Sequence, residues 1–198
     1  MPEFLKYQVC ALKSKLVYVI ICGAVFAVCF GVGIYFGVKS EKLLFSDAVC
    51  GFYDMLFLRG GSVWGYAFSK LLGGLGVLVI VALSGLLPWL LPVHVCFIAY
   101  SAFVSGAALI GFFGELSVIG VSFYFLVIFP STIVRCFSII ILSASLLCYN
   151  DERRLCNRRL AWGSVAVLFA VSFVIYLAAV VFECLMIMLV VRPINVFF

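Results

Sequence analysis

The stretch LVYVIICGAVFAVCFGVGIYFGV, residues 16–38, contains no charged side chain. As a helix with a rise of 1.5 Å per residue it would measure about 35 Å, enough to cross the roughly 30 Å hydrocarbon core of a membrane. The stretch is longer than the apolar part of a signal peptide, and the GVKS at its end lacks the small-residue pattern of a cleavage site. It therefore predicts an uncleaved first transmembrane helix.

The composition extends this interpretation to the whole chain. Of 198 residues, 67% are hydrophobic and 11% are charged, whereas soluble domains contain about 45–50% apolar and about 25% charged residues. A soluble fold of this size cannot bury so much apolar surface. The net charge of +5 comes from lysines and arginines that flank apolar runs, a pattern typical of membrane topology. The sequence predicts an integral membrane protein in contact with lipid and without a nucleic-acid partner.

The lengths of the apolar runs and the charged residues between them predict one transmembrane domain over residues 1–198, an all-α bundle of about five helices. Helices are predicted because uninterrupted apolar runs of this length do not alternate as the strands of a membrane barrel do. A loop over residues 39–70 is predicted on the outer side, with a helix lying flat in the interface around residues 45–58. The predicted spans are residues 16–38, 71–91, 93–113, 116–149 and 161–182.

The fourth predicted span is too long to stand upright. Residues 118–147 would measure about 45 Å as one straight helix. Pro130 lacks a backbone donor and is the natural break, and the hydroxyls of Ser131 and Thr132 can bond the carbonyls that it leaves free. Two arrangements remain open: a long helix that is tilted and kinked or broken at Pro130, or a short re-entrant segment over residues 116–129 followed by a true span.

The orientation follows from the positive charges near the ends of the spans. The densest group is the arginine quartet in DERRLCNRR, residues 151–159, directly between the fourth and fifth predicted spans. Such groups favour the cytoplasmic side. The sequence therefore predicts a multi-pass protein of the cell membrane with a cytoplasmic N-terminus and an outer C-terminus.

Small residues at helical spacing mark candidate contacts between helices, since close backbone approach is how helices pack in lipid. We expect them to pack within the bundle more than between copies, and the oligomeric state stays open. The candidates are Gly23, Gly31, Gly33, Gly37, Gly106 and Gly111.

The sequence predicts no catalytic, cofactor or metal site. His94 is the one histidine, which argues against a triad or a zinc site. The nine cysteines include no C-x-x-C and lie mostly in apolar runs, where thiols act as small hydrophobes. The glycine-rich LLGGLG, residues 71–76, lacks the Lys-Ser/Thr of a phosphate-binding loop.

Two charges remain inside apolar runs, Arg135 and Glu183, and intramembrane charges are candidate functional residues. If the fourth helix is continuous and ends near Leu147, the two differ by about 15 Å in depth and cannot meet. Glu183 would then snorkel at the outer boundary, where the fifth span gives way to an apolar tail along the interface. If Arg135 enters from the outer side, the two can instead form a buried pair that organises a ligand or partner site.

Three pieces of sequence carry a family resemblance over nearly the whole chain. They are SGLLPWLLP, then SGAALIGFF followed by Gly120 and Pro130, and finally Glu183 followed by Pro193. In this order they resemble the stage II sporulation protein M family of bacterial membrane proteins. The resemblance implies a non-enzymatic scaffold that anchors peptidoglycan hydrolases, similar to stage II sporulation proteins P and D, at the septum during engulfment.

A transport function is the alternative. A fourth helix broken at Pro130 and carrying the intramembrane Arg135 also suits a permease-like subunit, for example that of an ABC exporter with its ATPase on another chain. The sequence does not identify the partner.

Overall fold

The computed structural model describes residues 13–39, 63–85, 87, 91–155 and 162–194. Apart from a turn at Lys15 and a bend at Leu87, the chain is helical in these ranges, and five helices are long and apolar enough to cross a membrane, as the composition predicts. A π-helical segment, Tyr124–Ile128, joins the third helix to the fourth. The helices are α1 (Leu16–Lys39), α2 (Val63–Gly85), α3 (Leu91–Phe123), α4 (Phe129–Leu155) and α5 (Trp162–Ile194).

Four helices extend beyond their predicted spans, α2 at its start and α3, α4 and α5 at their ends. The second begins at Val63 rather than at residue 71, so Lys70 lies inside it and not in the loop before it. The fifth passes through Glu183 without a break and ends at Ile194. Neither Lys70 nor Glu183 therefore marks the end of its helix. The predicted interfacial helix at residues 45–58 lies outside the described residues.

The chain bends sharply inside α3, near the C-terminal end of that helix. The side-chain oxygens of Ser105 and Tyr124 lie 2.5 Å apart, and the rings of Phe112 and Phe123 lie 5.8 Å apart between centroids. A straight helix would separate Ser105 from Tyr124 by about 28 Å along its axis. The chain must therefore turn back between Phe112 and Phe123, and two candidate spans, Pro92–Gly114 and Val118–Asp151, result.

Pro130 lies just after the π-helical segment. The backbone amide of Phe129 donates to the carbonyl of Tyr124, five residues back, and α4 then continues through the proline. The hydroxyl of Thr132 donates to the carbonyl of Ile128 at 2.9 Å, and the hydroxyl oxygen of Ser131 lies 3.0 Å from the same carbonyl. The fourth span is thus long and helical on both sides of the proline. Its candidate span has 34 residues, about 50 Å of helix, which fits a 30 Å core only when tilted or bent.

The first and third helices pack through reciprocal glycine contacts. A Cβ atom at Gly33 would collide with the carbonyl of Phe103, and one at Gly106 would collide with the carbonyl of Phe30. Gly37 likewise faces Ile110 closely. Backbone approaches this close are possible only where one side has no side chain. The glycines therefore fix α1 against α3.

The other glycine candidates lie elsewhere. Gly23 and Gly31 are exposed on α1, and a Cβ at either would meet no atom of the described residues within 4 Å, so neither is a packing contact in that part of the chain. Gly31 lies on the side of the helix opposite to Gly33, and Gly23 lies about 80° away from Gly33 around the helix axis. Gly111 is half-buried on α3.

The main apolar core lies where α2, α4 and α5 meet. Close approach also occurs here, because a Cβ at Gly74 would overlap the ring of Tyr176 on α5. At the other end of α2, the side-chain amide of Asn150 donates to the carbonyl of Gly85 at 2.6 Å. These contacts set the height of α2 relative to α4 and α5. Core side chains include Leu78, Val81, Leu142, Leu146, Leu168 and Val180.

Candidate functional site

Glu183 is the centre of a buried polar group on α5, with only 1% of its surface exposed. Its Oε2 accepts a hydrogen bond from Ser131 Oγ at 2.7 Å and lies 3.3 Å from Nη2 of Arg135. Its Oε1 accepts a hydrogen bond from the hydroxyl of Tyr66 and lies 3.7 Å from Nζ of Lys70. We call Tyr66, Lys70, Ser131, Arg135 and Glu183 the ionic cluster.

Two helices present the partners of Glu183 in the same way. Tyr66 and Lys70 are four residues apart on α2, and Ser131 and Arg135 are four residues apart on α4. Residues at this spacing lie one above the other on a single helix face. Each helix therefore supplies one hydroxyl and one cation to the carboxylate.

Arg135 is held by its own helix as well as by Glu183. Its Nε donates to the carbonyl of Ser131 at 3.3 Å. Its Nη2 donates to the hydroxyls of Ser131 and Thr132 at 3.2 and 3.0 Å. The guanidinium is therefore fixed in position, as its rigid planar geometry allows.

Arg135 and Glu183 meet because α4 and α5 have matching lengths. About 20 residues separate Arg135 from the end of α4 at Leu155, and about 21 separate the start of α5 at Trp162 from Glu183. Both stretches measure about 30 Å. The sequence-based count placed the two charges about 15 Å apart in depth because it took Leu147 as the end of the fourth helix.

The environment of Glu183 differs from the snorkelling interpretation. The side chain is buried, and α5 continues as a helix for about 11 residues beyond it to Ile194. A carboxylate inside a bundle is favourable when cations and hydroxyl donors surround it. The structure thus brings together the two intramembrane charges that the sequence singled out.

Tyr66, Lys70 and Ser131 were not predicted from the sequence as partners of Glu183. Lys70 was predicted to lie at the boundary of the second span, and Ser131 to bond carbonyls near Pro130. The signal that was available is the repeated spacing, a hydroxyl four residues before a cation, in the second and in the fourth helix.

The ionic cluster carries an excess of positive charge. Lys70 and Arg135 are cations and Glu183 is an anion, so their formal charges sum to +1. The side chain of Lys70 is 32% exposed and that of Arg135 is 14% exposed, whereas that of Glu183 is 1% exposed. The carboxylate is therefore enclosed, and the cations are the charged groups with free surface.

A cavity of about 590 Å³ lies beside the ionic cluster, between α2, α3 and α4, with side chains of α5 in its wall. All of Tyr66, Lys70, Arg135 and Glu183 contribute to its lining. The volume is in the range of small-molecule sites. Most of the remaining lining is apolar or small, and includes Val77, Val104, Ala108, Phe112, Ile128 and Ile139.

His94 lies far from the ionic cluster, at the start of α3. It is fully buried, and its Nε2 lies 2.7 Å from the hydroxyl of Ser84. Among the described residues, no group of three His, Cys, Asp or Glu side chains is close enough to hold a metal ion.

Comparison with protein-family models, with curated proteins and with solved structures finds no match to this chain. The resemblance to the stage II sporulation protein M family therefore stays a prediction from the sequence.

Proposed function

We propose that this chain is a non-enzymatic membrane scaffold, which acts by holding partner proteins rather than by covalent chemistry. The observation that supports this most directly is the state of Glu183, whose two oxygens are engaged by Tyr66, Lys70, Ser131 and Arg135. A general acid or base must be free to exchange a proton with substrate. Here the carboxylate instead ties α2 and α4 to α5, which suits a rigid body.

The proposed partners are peptidoglycan-remodelling enzymes at the septum during engulfment, and they are taken from the family resemblance. The proposed contact surface lies on the outer side, at residues 45–58 and at the part of α5 beyond Glu183. Large apolar side chains in both segments suit contacts at a membrane surface.

Crosslinking tests the scaffold. A photoreactive residue in place of Phe52 should capture cell-wall hydrolases in intact cells, because this segment is the proposed contact. The matched control carries the same residue in place of Trp162, which is 64% exposed at the start of α5. Captured proteins are identified by mass spectrometry. Hydrolases captured only from position 162, or no hydrolase from either position, would contradict the proposal.

A permease-like subunit of a transporter is the second candidate. The cavity beside Lys70 and Arg135 favours it, since transporters bind substrates within the membrane at charged or unpaired groups. Purification in mild detergent separates the two candidates. An ATPase that copurifies with the chain supports the transport function, whereas hydrolases support the scaffold.

The scaffold requires the proposed orientation, with the arginine-rich connection on the cytoplasmic side. Cys50 and Cys156 allow a test in variants that keep only one of them. We expect an impermeant thiol reagent to modify Cys50 in intact cells and Cys156 only after permeabilisation, with labelling measured by mass shift. The reverse pattern would invert the topology and remove the support for cell-wall partners.

A further inference from the structure

The contacts of Lys70 do not use all the N–H donors of its ammonium group. Its Nζ lies 3.7 Å from Glu183 Oε1, longer than a direct hydrogen bond, and 5.2 Å from the ring centroid of Tyr66. Within the described part of the chain these are its side-chain contacts. An ammonium has three N–H donors, and leaving them without acceptors in an apolar cavity is costly. The wall of the cavity therefore offers a cation that an anionic ligand would satisfy.

Within the described part of the chain, the ionic cluster is one negative charge short of neutrality. The formal sum of Lys70, Arg135 and Glu183 is +1. Away from water, an uncompensated charge is unfavourable by several kcal/mol. One added negative charge makes the cluster neutral. The site thus fits a ligand with a single negative charge, such as a phosphodiester.

The cavity opens sideways between α2 and α3. Ser69, Gly73 and Tyr100 all line it and are also exposed on the outside of the bundle. Ser69 and Gly73 lie within the candidate span Trp64–Gly85 and Tyr100 within Pro92–Gly114. The opening therefore faces lipid rather than water, and a ligand that enters through it needs an apolar part.

The depth of the ionic cluster suits a lipid headgroup. Trp64 is 77% exposed at one end of its span, and tryptophans at such ends lie at the level of the headgroups. Lys70 follows six residues later, about 9 Å deeper along α2. A long basic side chain at this depth can reach a phosphate close to the interface.

We propose that this cavity binds a membrane phospholipid with a singly charged anionic headgroup, which enters between α2 and α3 and is held by Lys70 and Arg135. The apolar part of the wall, with Val104 and Ile139, accepts part of an acyl chain. This binding site does not depend on the scaffold proposal, because it concerns a lipid and not a protein partner.

The test is the number and kind of lipids that the full-length protein retains from vesicles of phosphatidylglycerol and phosphatidylcholine with identical acyl chains. Retention is measured by native mass spectrometry after purification in mild detergent. We expect the wild type to retain phosphatidylglycerol in preference to phosphatidylcholine. Lys70→Met should weaken this retention by about tenfold or more, since it removes a charge-assisted contact. The matched control is Lys39→Met, which removes an exposed lysine on α1 and should leave retention unchanged.

A steric variant tests the same site without a change in charge. Gly73 lines the cavity, and a Cβ there would meet no atom within 4 Å among the described residues, so Gly73→Leu can fold and fill the opening. We expect it to lower phosphatidylglycerol retention as strongly as Lys70→Met does. Gly76→Leu is the matched control, because Gly76 has the same open space on α2 but does not line the cavity.

Three outcomes would overturn the proposal. One is equal retention of the two lipids by the wild type, and another is equal loss in the variants and their controls. The third is displacement of phosphatidylglycerol by inorganic phosphate alone, which would show that the site recognises a free anion and not an amphiphile. Failure of these lipid experiments leaves the crosslinking result for protein partners unaffected, so the two proposals are tested separately.

Discussion

Glu183→Gln is expected to destabilise the protein by about 3–5 kcal/mol, the cost of removing one partner from a buried ion pair. The reason is the charge balance, because the variant leaves Lys70 and Arg135 facing each other with no anion between them. Arg135→Met should cost less, since Lys70 still pairs with Glu183. The free energy of unfolding can be measured by reversible denaturation in mixed detergent micelles.

The double variant, Arg135→Met with Glu183→Gln, tests whether the two charges interact as a pair. If Arg135 and Glu183 interact as their 3.3 Å separation indicates, the double variant should be more stable than the sum of the single effects predicts, by about 0.5–3 kcal/mol. Simple additivity would refute the pairing. The control is Asp151→Asn, which breaks the exposed ion pair with Lys15 and should cost less than about 1 kcal/mol.

Gly33→Ala is expected to be the most damaging of the small substitutions in α1. The added methyl group would collide with the backbone carbonyl of Phe103, and a carbonyl within a helix cannot rotate away. The two helices would have to separate along the whole contact, at a cost of about 1–3 kcal/mol or more. Thermal unfolding in detergent, followed by circular dichroism, measures the effect.

Gly31→Ala is the matched control, two residues away on the same helix. In the part of the chain that the structure describes, its added methyl group meets no atom within 4 Å, and alanine forms helix better than glycine. We expect unchanged or slightly higher stability. Equal destabilisation by both substitutions would show that the loss has another cause than the contact with α3.

The sequence was sufficient to predict the number and kind of the main elements. An apolar run long enough to cross lipid has few alternatives to a helix, since every backbone group must be bonded internally. The helix boundaries were harder to predict. Lys70 was predicted to be the last residue of the loop before the second span, yet it lies inside α2, where Glu183 and the ring of Tyr66 stabilise its charge. A partner that is distant in sequence cannot be identified from local composition.

The glycine pattern shows a similar limit. The spacing of Gly23, Gly31, Gly33 and Gly37 indicates which residues share a side of α1, but it does not indicate which side meets another helix. Gly33 and Gly37 face α3, whereas Gly23 and Gly31 face outward. Only the position of α3 distinguishes the two sets, and that position depends on contacts along its whole length.

The matched lengths of α4 and α5 limit which insertions this protein can accept during evolution. Inserting one residue between Arg135 and the end of α4 would raise the guanidinium by about 1.5 Å and rotate it by about 100° away from Glu183. An insertion in α5 between Trp162 and Glu183 would do the same to the carboxylate. Relatives that keep the ion pair must therefore conserve both lengths, even where their side chains have diverged. Such relatives could be recognised even when their sequence identity to this chain is too low for a match. The sign would be an arginine before, and a glutamate after, a short basic connection, each about 20 residues from it.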